Sequence, residues 1–460
     1  MRLFRLDYQS LWYDELHSII PTAPGNTVAS IIEYCKKDQP PAFFLLLHGW
    51  FQVFPYNDYS GRLLSVILGI GGIIAIFFLG KEIKNSTVGI AASAITTFNW
   101  FHINYSQELR FYTLLFLLTV LSFWFFIRAY KQSTFLHFFL YSVCSVALIY
   151  THYYAMVVLA SQLIIFIGLL IFFDKRGIKM IVLAILSGIL ICVAFIPWMP
   201  TVLADNNYSS FWIAMPKLYF PAVYLYVYLG KDPYYGIVVL VLGILLISYA
   251  IQLYKQTVTT SEEKTAKKSI FILFLWIILS YLIPFLYSVL ALPMLHERYT
   301  IISLPALFIA FGWGWSLIEN MNIRRFVPIS IFLSTIINLL FFNQHYSRIY
   351  KMQLRELSQE VININRATHS NPLIYSTGAW YFNYYFNLLQ PDTLVRDING
   401  INLEQNMANA DSIWVLEAAA LDQIDEINKT YIEKHFVPRK EISLFQTSAV
   451  LYERVLASSK

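Results

Sequence analysis

Long apolar runs recur from Arg62 to Phe342, each near the length of a helix that crosses a bilayer. A spanning helix needs about 20 apolar residues. Ten such helices are predicted, near 62–80, 86–104, 109–127, 135–150, 154–173, 180–200, 235–254, 270–290, 300–318 and 326–342. The 135–173 stretch is divided at "THYY", because His152 is costly at the bilayer centre and tolerated at an interface. Two shorter runs, 26–37 ("NTVASIIEYCKK") and 41–54 ("PAFFLLLHGWFQVF"), cannot span. They suit helices lying along the outer interface, separated at Pro40–Pro41, as do parts of the aromatic-rich 211–230.

The pattern changes after residue 342. Polar helical stretches such as "QLRELSQEVININRA" alternate with short apolar runs such as "PLIYS" and "SIWVLEAA". This predicts a small α/β domain over 343–460, preceded by a membrane domain over 62–342 and a first outer loop over 1–61. The acids of the tail are scattered and fit no catalytic template, so its expected role is structural or in acceptor recognition.

Charge orients the chain. One set of loops between spans holds Lys81, Lys84, Arg128, Lys131, Lys175, Arg176, Lys179, Lys255, Lys264, Lys267, Lys268, Arg324 and Arg325. The alternate set holds Arg110, Lys217, Lys231 and Arg298. The richer set is expected in the cytoplasm. Both the first 61 residues and the tail then lie outside. About 60 residues precede the first span. A further transmembrane helix is therefore expected upstream of Met1, against the alternative of a chain that starts outside.

Composition agrees. The 460 residues are 57% hydrophobic and 13% charged, against roughly 25% charged in soluble domains. The net charge of +5 is accounted for by loop anchors, so no nucleic-acid partner is expected. Cys35, Cys144 and Cys192 form no disulfide framework and no metal-ligand spacing.

The chemistry-bearing residues gather at the outer ends of spans. They are Asp14, Glu15 and His17 in "SLWYDELHS", Glu108 and Arg110 in "NYSQELRFY", His152 in "YTHYY", and His296, Glu297 and Arg298 in "LHERY". Each has a plain reading taken singly. A "DE" pair is usually a solvated loop pair, Glu108 suits a helix N-terminus, and Arg298 could be a snorkelling headgroup anchor. Four such segments on one face point instead to an outward cavity at headgroup height. Ion-coupled transporters carry their ionisable groups near the midplane, and here the span centres hold none. An acid beside a hydroxyl can act as a base, and Arg or His can hold a phosphate. Together they suggest transfer chemistry on a lipid phosphate.

In order, "SLWYDELHS", "QPPAFFLLLHGW", "GRLLSVILG", "NYSQELRFYTLL", "YTHYYAMVVLASQ" and "HERYTIISLPAL" resemble the protein-mannosyltransferase-like branch of the C-type glycosyltransferases. That branch includes aminoarabinose-transferase-like enzymes. The resemblance covers most of residues 6–320. It implies an all-α polytopic membrane fold with a small C-terminal extracytoplasmic α/β domain. It implies a polyprenyl-phosphate sugar donor, an acceptor outside the cytoplasm (protein, lipid or polysaccharide) and inversion at the anomeric carbon. The family's first-loop acid falls on Asp14, paired with Glu15. Glu108, with His17, would orient the acceptor or a divalent metal if one is used. Arg110 and Arg298, then His152 and His296, are the candidates for the donor phosphate. The competing readings are a flippase or transporter of a lipid-linked glycan, and a glycan polymerase or ligase.

Overall fold

The computed structural model describes residues 1–37, 39–173, 177–204, 213–231, 233–255, 260–399, 401, 403–407, 410–419 and 423–455. Lys175 and Arg176 of the cytoplasmic set, and residues 211 and 212, lie outside these. The chain divides into two compact units: Met1–Phe4 with Pro24–Tyr56 and Ser60–Tyr346, and Arg5–Ala23 with Asn57–Tyr59 and Ser347–Lys460.

The first unit is helical. Among the described residues, eight helices are long and apolar enough to cross a membrane, from Asp58–Ile83 to Met321–Phe342. Shorter apolar helices cover Ala42–Phe51, Ser86–Phe98 and Phe135–Ile149. Every one of the ten predicted positions carries helix, with one break. The segment predicted as a single helix over 86–104 is two, Ser86–Phe98 and Trp100–Ser106. Asn99 causes the break. It takes extended backbone angles, its side-chain oxygen accepts the His102 N–H at 3.0 Å, and its amide donates to the Tyr228 carbonyl at 2.6 Å. A short polar side chain that satisfies backbone groups in this way favours a cap over a helix interior. The two shorter interfacial predictions appear as Val28–Cys35, capped by Thr27 and Ser30, and Ala42–Phe51.

Lipid tails are as apolar as leucine, so packing and interhelical hydrogen bonds hold such a unit together. A side chain at Gly89 would strike the Phe77 carbonyl, and one at Gly314 would strike the Leu242 backbone, so both helix crossings need a bare Cα. Gln162 donates to Ser122 at 2.9 Å and accepts from Tyr141 at 3.1 Å, while Ser122 meets Ser145 at 3.1 Å. These buried bonds tie three helices. Phe123 and Trp276 stack with centroids 3.5 Å apart.

The second unit contains a five-stranded mixed sheet. In chain order its strands are β1 (Leu373–Ser376), β2 (Val395–Asp397), β3 (Ser412–Ala418), β4 (Phe436–Leu444) and β5 (Thr447–Arg454), in the spatial order β2-β1-β3-β5-β4. β1 runs parallel to β2 and β3, and β5 runs antiparallel to β3 and β4. The central strand β3 is apolar on both faces, as expected where helices cover both sides. Ile413 and Val415 join a core with Ile432 and Phe436. On the opposite face Trp414 donates its indole N–H to Asn365 of the helix Leu354–Ala367. This is the small α/β domain that the tail predicted.

The same unit includes the first-loop segment Arg5–Ala23 and the start of the first span. Asp58, 6% exposed, accepts from the Tyr384 and Tyr385 hydroxyls at 3.0 and 2.9 Å and pairs with Arg355 at 3.4 Å. Removing one partner of a buried ion pair strands the other charge. Asp58→Ala is therefore expected to cost about 3–5 kcal/mol, read as a lowered thermal midpoint of the purified full chain in detergent.

Candidate active site

The opening acids lie on a helix of seven residues, α1 (Tyr13–Ile19), entered from extended backbone at Trp12. Acids in a first turn are favoured by the helix dipole, and Asp14 and Glu15 both occupy it. Consecutive helical residues point about 100° apart, and that separates the two. Glu15 is fully buried. Its Oε2 accepts from Lys351 Nζ at 2.8 Å and from the Trp12 backbone N–H at 3.4 Å. Asp14 is half-buried on the neighbouring face. His17 meets the Tyr381 hydroxyl at 2.9 Å through Nε2 and packs among Tyr13, Trp380 and Tyr381, with ring centroids 4.6–5.6 Å away.

Within the helical unit, the other predicted residues are linked through aromatic rings. Glu108 and Arg110, both nearly buried, sit in the turn between Trp100–Ser106 and Tyr112–Gln132. Gln107 fixes that turn: its amide donates to the Arg2 carbonyl at 2.9 Å, and its oxygen pairs with His345 Nε2 at 2.8 Å. The Arg110 guanidinium lies 4.9 Å over the Phe111 ring. Phe111 packs on His152 at 4.6 Å, and His152 packs on Tyr299 at 4.8 Å. Tyr299 approaches Tyr112, whose hydroxyl accepts from Arg298 Nη1 at 3.4 Å. His296 Nδ1 lies 3.1 Å from Glu297 and accepts the Arg298 backbone N–H at 3.3 Å. Three segments distant in sequence thus bring Arg110, His152, His296 and Arg298 into one ring-lined neighbourhood.

His152 is held neutral. Burial first, and then the Arg110 charge, push its pKa down to about 3. Its Nδ1 accepts the Tyr154 N–H at 3.1 Å, so the proton of the neutral ring belongs on Nε2, where it can donate. The unfolded chain protonates this residue below its ordinary value of about 6.5, and the folded chain resists. His152 therefore costs no stability above that value, and the cost grows as pH falls from about 6.5 toward 3. At pH 5 it reaches about 2 kcal/mol. The drop in thermal midpoint between pH 7.5 and pH 5 is expected to be smaller in His152→Phe than in the native chain.

Residues 38–200 match the family described as dolichyl-phosphate-mannose-protein mannosyltransferase. The crystal structure of ArnT from Cupriavidus metallidurans in the apo state aligns with a TM-score of 0.61 at 10% identity, covering 98% of this chain and 95% of that one. ArnT bound to undecaprenyl phosphate gives the same values. The oligosaccharyltransferase AglB from Archaeoglobus fulgidus, in complex with an inhibitory peptide and a dolichol-phosphate, aligns with a TM-score of 0.49 at 8% identity, covering 92% of this chain and 67% of that one. No curated protein matches the chain. The fold is that of the C-type glycosyltransferases. Residues 38–200 are similar to a family described by a transferase activity, and the eight apolar helices make the chain a multi-pass membrane protein.

Seen against this C-type fold, the residue types at span ends were readable, and their partners were not. Lys351, Tyr381, Tyr385 and Asp58 carried no signal beyond their positions next to spans or inside the tail. The ring framework of Phe111, Tyr112 and Tyr299 was hidden among the Phe, Tyr and Trp residues that make up 17% of the chain. Among the described residues, no group of three His, Cys, Asp or Glu is placed to hold a metal ion.

Proposed function

We propose that the chain moves a sugar from a polyprenyl-phosphate donor to an acceptor hydroxyl on the extracytoplasmic side, with inversion. The observation that supports this reading is the C-type fold, aligned over 98% of the chain, in a chain whose "LWYDE" motif carries a half-buried Asp14 on α1. Asp14 takes the proton of the acceptor hydroxyl as its oxygen attacks the anomeric carbon. The bond from that carbon to the phosphate oxygen breaks, and polyprenyl phosphate leaves with the electron pair. A phosphate is already a good leaving group, so cations suffice where an acid would otherwise be needed.

Arg298 and Arg110 supply that charge, and neutral His152 supplies an Nε2–H donor. His296 is a further phosphate candidate, while Glu108 and His17 orient the acceptor. Glu15 belongs to the same loop acid pair, and its burial against Lys351 suits a supporting role beside the base. The outward assignment rests on the lysine and arginine bias of the opposite loops. The acceptor class is protein, lipid or polysaccharide.

The test is mass analysis of glycolipids and glycans from cells carrying the native chain or Asp14→Ala. Loss of a glycosylated product with accumulation of the lipid-linked sugar is expected. An unchanged product, with lipid-linked sugar still crossing the membrane, would replace the enzyme by a flippase.

A further inference from the structure

An acid works as a base only when its backbone holds it to a fraction of an ångström. Helix α1 has seven residues, too few to be stable in isolation. It is held by side chains more than 330 positions away. Lys351 Nζ meets Glu15 at 2.8 Å, with the lysine side chain 8% exposed and the glutamate fully enclosed. Tyr381 meets His17 at 2.9 Å. Tyr385 accepts the Leu11 N–H ahead of the helix and donates onward to Asp58 at 2.9 Å. The attachments bracket Asp14 in sequence, at Leu11, Glu15 and His17.

Stability alone is a poor reason for the ion pair. Desolvating two charges costs as much as their attraction returns, and apolar replacements of buried pairs are often neutral. Direction is the better reason, because the pair fixes the rotation of α1 about its axis. A rotation by one residue would carry Asp14 into the enclosed place that Glu15 holds. We propose, building on the assignment of Asp14 as the base, that Lys351 is a positioning residue for the transfer. It clamps Glu15 so that α1 presents Asp14, and Tyr381 secures the same rotation through His17. The C-terminal domain is then part of the catalytic apparatus, which is a role its own scattered acids did not suggest.

The experiment uses the full chain. Product in cells is normalised to the amount of monodisperse purified protein, and hydrogen exchange is followed over residues 13–19. Lys351→Met is expected to lower product per folded molecule about 100-fold and to speed exchange in that window. Lys351→Arg should restore both, because it keeps the charge and the reach. Tyr381→Phe removes one hydroxyl and should shift both readouts in the same direction to a smaller extent. It carries the test if Lys351→Met does not accumulate. A purely structural role would reduce the yield of folded protein and leave product per folded molecule unchanged, and that result would overturn the proposal. So would native exchange and product in both variants. If Asp14→Asn keeps full product, the base assignment fails separately, whatever Lys351 does.

Discussion

Replacing Asp14 with asparagine is expected to cut product formation by about 10²–10⁴-fold, the usual contribution of a general base, while the purified chain keeps its thermal midpoint. Asparagine preserves the size and most of the hydrogen-bonding of the side chain, and removes the charge and the basicity. Asp14 is half-buried, whereas Glu15 is fully enclosed. The same change one residue later should add a loss of stability to the loss of product. Glu15→Gln leaves Lys351 enclosed without its counter-charge, and the first consequence is a lowered midpoint. The two adjacent acids are thus separable by the thermal midpoint, which falls only in Glu15→Gln, while product per folded molecule falls in both. A normal product level in Asp14→Asn would refute the base assignment.

The contrast shows which parts of the molecule could be read from residue order. Apolar periodicity located the helices because length and hydropathy are local properties. It missed the break at Asn99, where one side chain competes for backbone groups within an otherwise greasy run. The change of pattern after residue 342 located the α/β domain for the same local reason. The acids were found because "LWYDE" is a compact motif. Their different surroundings were not, because nothing in "SLWYDELHS" by itself distinguishes an outer loop from a helix of seven residues. Only once it is a helix does a step of about 100° per residue send Asp14 and Glu15 to different environments. Lys351 could not be found at all. It lies 336 positions from Glu15, and no local pattern encodes a contact at that separation.

Arg298 is the second position where a large effect is expected. Arg298→Gln should lower product formation by about 10²–10³-fold, the range for removing one charge-stabilising donor from a transfer reaction. Arg298→Lys separates the two readings of this residue. A headgroup anchor needs only a long stem with a cation at its end, and lysine snorkels as arginine does. A phosphate clamp needs the planar fork, which makes two parallel bonds and which lysine lacks. The surroundings favour the fork. One Nη1 is oriented toward the Tyr112 hydroxyl at 3.4 Å, and the backbone N–H is held by His296 at 3.3 Å, so the side chain leaves a constrained base. Nearby Arg110 holds a second guanidinium 4.9 Å over the Phe111 ring. A clamp therefore predicts a large loss in Arg298→Lys, together with weaker inhibition by added undecaprenyl phosphate. An anchor predicts near-native product and inhibition. Native behaviour of the lysine variant would remove Arg298 from the chemistry and leave Arg110 and His152 to hold the phosphate.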